Sequence, residues 1–407
     1  MTAPAIAFII NPDLQWRNEA GRSIAWLPAL GLELRASPAL VSTLALFEQA
    51  RTLDDPMLVD RLAPDALAGL VAHLLIVPDG LADCLGRGLL IQDSKPVARG
   101  ASWWHTIQHP PHSVLLGVPA DFAAVSAHSP RGGPRAVRDA IHQLLPPRLS
   151  RLESGQTLEL EDLELGLRLE LGPDSLRDLG NVRVWPGHER LDEVGCRLEY
   201  ALGQLAAKDI LPFVIGGDHS LSYYAIRALA RARGPLTVLH LDAHRDDYGP
   251  EQFAPSAGLL NHANFVNALA VEPGVEHIHQ VGLRDLAVVA SRSGCEITRV
   301  SARQVRAQGP RAAIELLATD RPVYLSVDVD VLDPAHAPEV SSPIAGGLDL
   351  GEVIALLEAC WTAHDVVGFD LMEVCGSSRA PNRAAGAAAR LLTSAWMLSL
   401  ARKRERR

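Results

Sequence analysis

The chain has 407 residues, 48% of them hydrophobic and 21% charged. At about 150 residues per domain this suggests two domains, or one large domain with an addition, and it excludes a disordered or fibrous protein. With 38 basic against 48 acidic side chains the net charge is −10, and aromatics make up only 5%. Nucleic-acid binding, anionic-membrane binding and base stacking are therefore not expected. Cys84, Cys196, Cys295, Cys360 and Cys375 lie far apart with no CxxC pair. That spacing is no disulfide framework, so a reducing, cytoplasmic setting is expected. Met1–Ile10 is apolar but lacks a basic flank and is too short for a secretory core, and no run reaches about 18 uninterrupted apolar residues.

Residues 1–100 read as a small accessory domain. Ala5–Ile10 is a short strand, and Ser37-Pro38 opens a helix running to about Ala50. Asp55-Pro56 opens a second helix and Pro64-Asp65 a third, running to about Leu75. Pro78-Asp79-Gly80 is a turn, and Leu89–Ile91 a short apolar run. The helical pattern is similar to the winged-helix-like domains attached to natural-product and peptide-modifying enzymes. Pro96–His112 reads as a linker, which places a second domain at 105–407. There the runs Val114–Leu116, Pro212–Ile215, Thr237–Leu241, His277–Val281, Val323–Val327 and Val366–Phe369 alternate with helical stretches. Continuous apolar strands between helices predict a parallel sheet covered on both faces, a three-layer α/β/α fold. Residues 151–172 alternate leucines with acidic residues and read as a peripheral hairpin or amphipathic insertion. The basic end, Arg402–Arg407, reads as a solvated helix terminus.

Three polar segments each follow a predicted strand: Gly216-Gly217-Asp218-His219-Ser220, Asp242-Ala243-His244-Arg245-Asp246, and Asp328-Val329-Asp330 with Asp333-Pro334 beyond. In extended chain, residues i and i+2 point the same way, so Asp242 and His244 project together, as do Asp328 and Asp330. Ligands of open α/β sheets bind beyond the carboxyl ends of the strands, so all six side chains aim at one place. Four carboxylates there need counter-charge, which two divalent cations supply. An oxygen-rich set with two histidines suits manganese better than zinc. A lone aspartate at a strand end is ordinarily a cap or turn former, but three such clusters are not explained that way. His240, inside the strand before Asp242, reads as a core or face residue.

These segments closely resemble the three metal-binding signatures of the ureohydrolases, the family of arginase, agmatinase and formiminoglutamase. The likeness extends over residues 110–400, through Gly117–Arg138, Asp178–Val182, Val281–Asp285 and Gly368–Glu373. It implies an arginase-like domain holding two manganese ions. His219, Asp242, Asp246 and Asp328 would hold one ion. His244, Asp242, Asp328 and Asp330 would hold the other, with Asp242 and Asp328 bridging. Asp246 would also orient the nucleophile, Glu373 would pair with the substrate cation, and His262 would shuttle a proton. The implied reaction is hydrolysis of a C–N bond in a guanidino or amidino group, with urea as product. Formamide is the product under the formiminoglutamase alternative.

The chain departs from the family pattern at four places, the first being the loop Asn261-His262-Ala263-Asn264-Phe265, where the family usually reads His-Gly-x-x-Phe or a serine-rich variant. Ala287 stands where arginases place an acid for the free α-amino group. Pro338–Pro343 is closer to the formiminoglutamase pattern, and Cys375 stands near a usual proline. The expected substrate is therefore a small molecule or peptide bearing a guanidino group, acted on by a homo-oligomer. Two readings of other classes are a degenerate DNA-binding regulator and a deacetylase-like single-zinc enzyme. The first fits poorly with 8 basic and 11 acidic side chains in residues 1–100. The second fits poorly with so many carboxylates.

Overall fold

Eight strands, most of them rich in Val, Ile and Leu, form the body of the ten-stranded central sheet: β1 Ser113–Gly117, β2 Arg177–Val182, β3 Leu211–Ile215, β4 Leu236–Leu241, β5 Val275–Leu283, β6 Glu296–Ser301, β7 Val323–Asp328 and β8 Val366–Met372. The computed structural model describes residues 7–405 except 20–21, 28–31, 86–87, 101–108, 123, 125–127, 186–188, 250–258, 289–293, 318–319 and 377–380. The strand order is β2-β1-β3-β8-β7-β4-β5-β6, and every neighbouring pair is parallel. Helices connect the strands: α1 Gly133–Leu144, α2 Leu191–Ala206, α3 Leu221–Arg233, α4 Phe265–Ala270, α5 Ala302–Gln308, α6 Pro310–Glu315, α7 Leu350–Ala363 and α8 Arg383–Glu405. One row of helices packs α1 on α8, α8 on α7 and α7 on α6, while α2, α3 and α4 form another. This is the expected α/β/α architecture.

Register explains how the fold gathers its functional ends. Ile215 pairs with Leu371, Leu371 with Val327, and Val327 with Leu241. The four central strands β3, β8, β7 and β4 thus finish level. The residues that follow them emerge side by side, where strand order reverses and ligands bind. Strand β7 is buried at every position, which is why its sequence reads as a continuous apolar run.

Two elements of this unit lay outside the apolar-run pattern. Strand β6 is an edge strand with only Val300 buried. Strand β2, RDLGNV, is wholly buried yet polar. Its polarity is satisfied by Arg138 of α1, whose Nε and one terminal nitrogen each lie 3.0 Å from Asp178 carboxylate oxygens. The guanidinium also reaches Asn181 Oδ1 at 2.8 Å and the Gly180 carbonyl at 2.7 Å. Val97 N donates to Asp178 at 3.0 Å, and Arg99–Gly100 pairs with β2. Residues 97–100, read from sequence as the start of a linker, therefore pack with the sheet.

The 151–172 segment is an antiparallel hairpin, Leu158–Asp162 with Leu167–Leu171. Arg390 of α8 grips its Asp162 in a two-pronged ion pair at 2.5 and 2.9 Å. By length and composition α8 could cross a membrane, but 72% of its apolar window is buried inside the protein, as in a core helix.

Residues up to Leu90 form a separate unit. Ala7–Ile10 lies between Arg51–Thr52 and Ile76–Pro78 in an antiparallel sheet. Helices Pro38–Ala45, Pro56–Val59 and Pro64–Ala72 start where the prolines place them. Ser37 and Asp55 cap the first two through Leu40 N at 3.1 Å and Met57 N at 2.9 Å. The first helix stops at Ala45 rather than near Ala50. A second antiparallel sheet, Gln15–Glu19, Arg22–Leu27 and Leu32–Arg35, escaped the sequence reading. Phe8, Leu27, Leu44, Phe47, Leu58 and Ile76 fill the unit's core.

Candidate metal centre

The turn after β3 requires glycine twice. A Cβ on Gly216 would lie 1.7 Å from Met372 Sδ, and one on Gly217 would lie 1.7 Å from the Ala120 carbonyl oxygen. This tight turn delivers His219, fully buried, over the strand ends. Asp242 to Asp246 follow β4 as irregular chain rather than a continued strand, and Asp246 has a left-handed φ of 49°. Asp330 sits on the 3-10 turn Val329–Val331, where its N–H donates to Asp328 Oδ1 at 2.8 Å. The side chains converge as expected, but turns and not strand pleat bring in Asp246 and Asp330. Glu373, one residue past β8, is also left-handed, at φ 68°. Two non-glycine residues in that region at one site mark stored backbone strain, typically about 1–3 kcal/mol each.

His219 Nδ1 faces three carboxylates: Asp242 Oδ2 at 3.2 Å, Asp328 Oδ2 at 3.2 Å and Asp246 Oδ2 at 3.5 Å. The proton on this ring is assigned by its other nitrogen. His219 Nε2 lies 2.9 Å from Ser326 Oγ, and that hydroxyl donates to Asp370 Oδ1 at 2.7 Å. A serine that gives its proton to a carboxylate must accept from the ring, so Nε2 carries the hydrogen and Nδ1 presents a lone pair. A lone pair aimed at three carboxylates is repulsive unless a cation lies between them. Asp242 Oδ2, buried and without an aligned hydrogen bond, is part of the same set. A second group adjoins it: His244 Nδ1 is 2.9 Å from Asp330 Oδ2 and 3.5 Å from Asp242 Oδ1. Asp242 thus offers one oxygen to each group, and the donor set fits two divalent cations.

Electrostatics agree with that fit. Burial, reinforced by neighbouring carboxylates, pushes the Asp246 and Asp328 carboxyls well above their usual range. Asp330 is raised for the same reasons. Burial also opposes charge on Asp242, yet His240, His219 and His244 hold it well below the usual range. Without a cation the cluster must retain protons, because so many buried like charges cannot all ionise.

Beside the cluster lies a cavity of about 350 Å³, lined among others by His244, Asp246, Asp328, Asp330, His262, Ser341, Glu373, Tyr248 and Asp285. Glu373 Oε1 accepts from His219 N at 2.7 Å and from His262 Nδ1 at 3.0 Å, and Ser341 Oγ donates to Oε2. Burial works against charge on His262, but the Glu373 carboxylate outweighs it and raises the imidazole pKa. The structure therefore brings His262 and Glu373 to the cavity beside all six clustered side chains.

His240 is the residue sequence reasoning missed. Its Nε2 lies 2.8 Å from Asp242 Oδ2. The i, i+2 spacing that joins Asp242 to His244 also joins His240 to Asp242, and that signal was available. Ala287 does not line the cavity. Asp285 does, and its Oδ2 is taken by Arg245 Nε at 3.1 Å and by the Tyr248 hydroxyl at 2.5 Å.

Comparison with known proteins places this geometry. Residues 112–398 match the arginase family. The chain is 32% identical to proclavaminate amidinohydrolase of Streptomyces clavuligerus over 64% of this chain and 79% of that protein. It is 28% identical to formimidoylglutamase of Halalkalibacterium halodurans, over 64% and 78% respectively. Among solved structures, a hypothetical agmatinase from Burkholderia thailandensis superposes with a TM-score of 0.58 at 27% identity. The match covers 73% of this chain and 87% of that one.

Proposed function

Because the chain belongs to the arginase family of guanidino and amidino hydrolases, we propose that it uses two manganese ions to release urea from a guanidino group on a body other than free arginine. An arginine side chain within a peptide is the substrate we favour. The observation that carries the reading is the His219 Nδ1 lone pair set against three carboxylates, with Asp242 shared by a second His–Asp group. Donors of carboxylate and imidazole without thiolate favour manganese.

His219, Asp242, Asp246 and Asp328 would hold one ion, and His244, Asp242, Asp328 and Asp330 the other. Bound there, the pair supplies Lewis-acid chemistry and a water acidic enough to attack at neutral pH. The protein does the rest. Glu373 has about four acceptor positions and three are taken, which leaves one for a substrate N–H. The planar cation is thereby held against a fixed carboxylate. With Nδ1 engaged by Glu373, His262 exchanges its proton through Nε2. The Glu373 carboxylate, which raises the imidazole pKa, favours the charged form that acts as the acid for the departing amine.

The substrate body is read from the cavity. An incoming α-ammonium finds Asp285, the acid on the cavity wall, already paired with Arg245 and Tyr248. Burying that ammonium unpaired is costly. The N-terminal unit, which contributes none of these site residues, is the segment we assign to holding a larger substrate. A formimino substrate with formamide release is the second reading, supported by the Pro338–Pro343 segment, whose Ser341 bonds Glu373. The test assays urea and formamide from the manganese-loaded full chain with free arginine, agmatine, formiminoglutamate and a peptide with an internal arginine. Urea from the peptide at the highest kcat/KM is expected. Free arginine as the best substrate overturns the choice, and formamide release selects the second reading.

A further inference from the structure

Two histidine nitrogens approach the same oxygen, Asp242 Oδ2: His219 Nδ1 at 3.2 Å and His240 Nε2 at 2.8 Å. Both rings are almost fully buried. By position alone His240 groups with His219, Asp242 and Asp246 as a possible metal ligand. The hydrogen-bond network behind it says otherwise. Gln280 of β5 receives Arg299 Nε on its Oε1 at 3.0 Å and donates its Nε2 to the Arg245 carbonyl at 2.7 Å. A carbonyl only accepts and a guanidinium only donates, so the amide orientation is fixed. The same Nε2 lies 3.0 Å from His240 Nδ1, which must therefore accept. The ring's remaining nitrogen, Nε2, carries the hydrogen, and a nitrogen that carries hydrogen cannot bind a metal.

We propose that His240 is a positioning residue that sets its Nε2–H beside Asp242 Oδ2, at 2.8 Å, with Gln280 and Arg299 fixing its tautomer. His219 and His240 are thus the same Nε2–H tautomer but meet one carboxylate with opposite nitrogens, the bare Nδ1 of His219 and the protonated Nε2 of His240. Ser326 and Asp370 turn the lone pair of His219 forward as a ligand, while Gln280 turns the N–H of His240 forward as a clamp. Among the described residues neither His240 Nε2 nor Asp242 Oδ2 has an aligned hydrogen bond, and at 2.8 Å each is the near neighbour able to satisfy the other. The clamp acts on Asp242, one of the two aspartates assigned to both cations, and so it governs both sites together. Arg299 is held in turn by Asp247 at 2.5 Å, which carries the chain of contacts outward from the centre.

This inference rests on the two-metal reading, and its test separates the two. Selective ¹⁵N-histidine spectra of the metal-free wild-type chain report the tautomer directly. A protonated Nε2 and bare Nδ1 on His240 are expected, and the reverse overturns the proposal. Manganese titration by calorimetry then compares wild type, His240→Phe, Gln280→Met and His240→Gln. Wild type that binds no metal defeats the two-metal reading and leaves the tautomer result standing. Loss of an outer partner of a metal ligand costs about 10–100-fold in affinity. His240→Phe should weaken both sites by that factor with the stoichiometry kept. Gln280→Met should weaken them less, and His240→Gln, whose amide can both accept and donate, should recover most of the loss. Loss of one ion from the stoichiometry would make His240 a ligand, and unchanged affinity in His240→Phe would leave it no role. Far-UV circular dichroism confirms that each variant is folded.

Discussion

Replacing Gly217 by alanine should disable the centre without removing a single ligand. The added Cβ would lie 1.7 Å from the Ala120 carbonyl oxygen and 2.7 Å from its carbon. Nonbonded heavy atoms rest at about 3.5 Å, so the turn must open by well over an ångström. Neither side can yield cheaply. Gly217 N donates to the Val118 carbonyl at 2.9 Å, Asp218 N donates to the Ala120 carbonyl at 3.0 Å, and Glu373 N donates to the Gly217 carbonyl at 3.0 Å. Moving Gly217 therefore moves His219, two residues on, and Glu373 across the cavity. Overpacking of this kind costs about 1–3 kcal/mol in stability. A misplacement near 1 Å costs about 100-fold in rate, so kcat/KM for urea release should fall by at least that factor. Gly203→Ala is the control. It lies within α2 with nothing near its added methyl, and should stabilise by about 0.4–1 kcal/mol with activity unchanged. Urea-release kinetics and denaturant unfolding on both variants decide the matter. Wild-type kcat/KM in Gly217→Ala would refute the claim that this turn sets the geometry.

Arg138→Met leaves the fully buried Asp178 carboxylate with only backbone donors. Breaking such a pair costs about 3–5 kcal/mol in denaturant unfolding, and a loss within the error of the extrapolation would contradict the account of β2. His262→Asn should lower kcat by about 10²–10⁴-fold with the metal content of the purified chain unchanged. Falling metal content would move His262 from proton transfer to ligation. Burial opposes charge on Asp162, but Arg390 outweighs it and lowers its pKa below the ordinary carboxylate value. A group lowered in the folded state stabilises fully above its unfolded pKa and ceases to do so as pH falls through the folded value. Asp162→Asn should therefore be less stable than wild type at pH 7, with the gap closing below about pH 4. A gap independent of pH would remove the ion pair as its cause.

Most of the catalytic fold was legible because a parallel sheet buried on both faces writes itself as apolar runs. All six runs read from sequence are strands. The exceptions follow from the same physics. Strand β6 is half exposed at the edge, and β2 is polar because Arg138 satisfies it from another element, which no local pattern reveals. In the N-terminal unit, Gln15–Glu19 and Leu32–Arg35 mix charge and apolar residues over four or five positions, too short for periodicity to register. The site was legible in its residues but not in its backbone. Spacing gathered His219, Asp242, His244, Asp246, Asp328 and Asp330, while a 3-10 turn and a left-handed φ place two of them. Reading His240 as core overlooked that it shares the spacing of its neighbours. Its tautomer, set by Gln280 from 40 residues away, is information only the folded chain contains.

The central claim is that this chain builds a two-cation centre around Asp242 for hydrolysis of a guanidino group. Manganese titration of the metal-stripped full chain, with urea release followed at each step, tests it most directly. Two ions per chain are predicted, with activity appearing as both sites fill and with Asp242→Asn losing both. A single tightly held ion that supports full turnover, or urea release undiminished in a chelator, would contradict it.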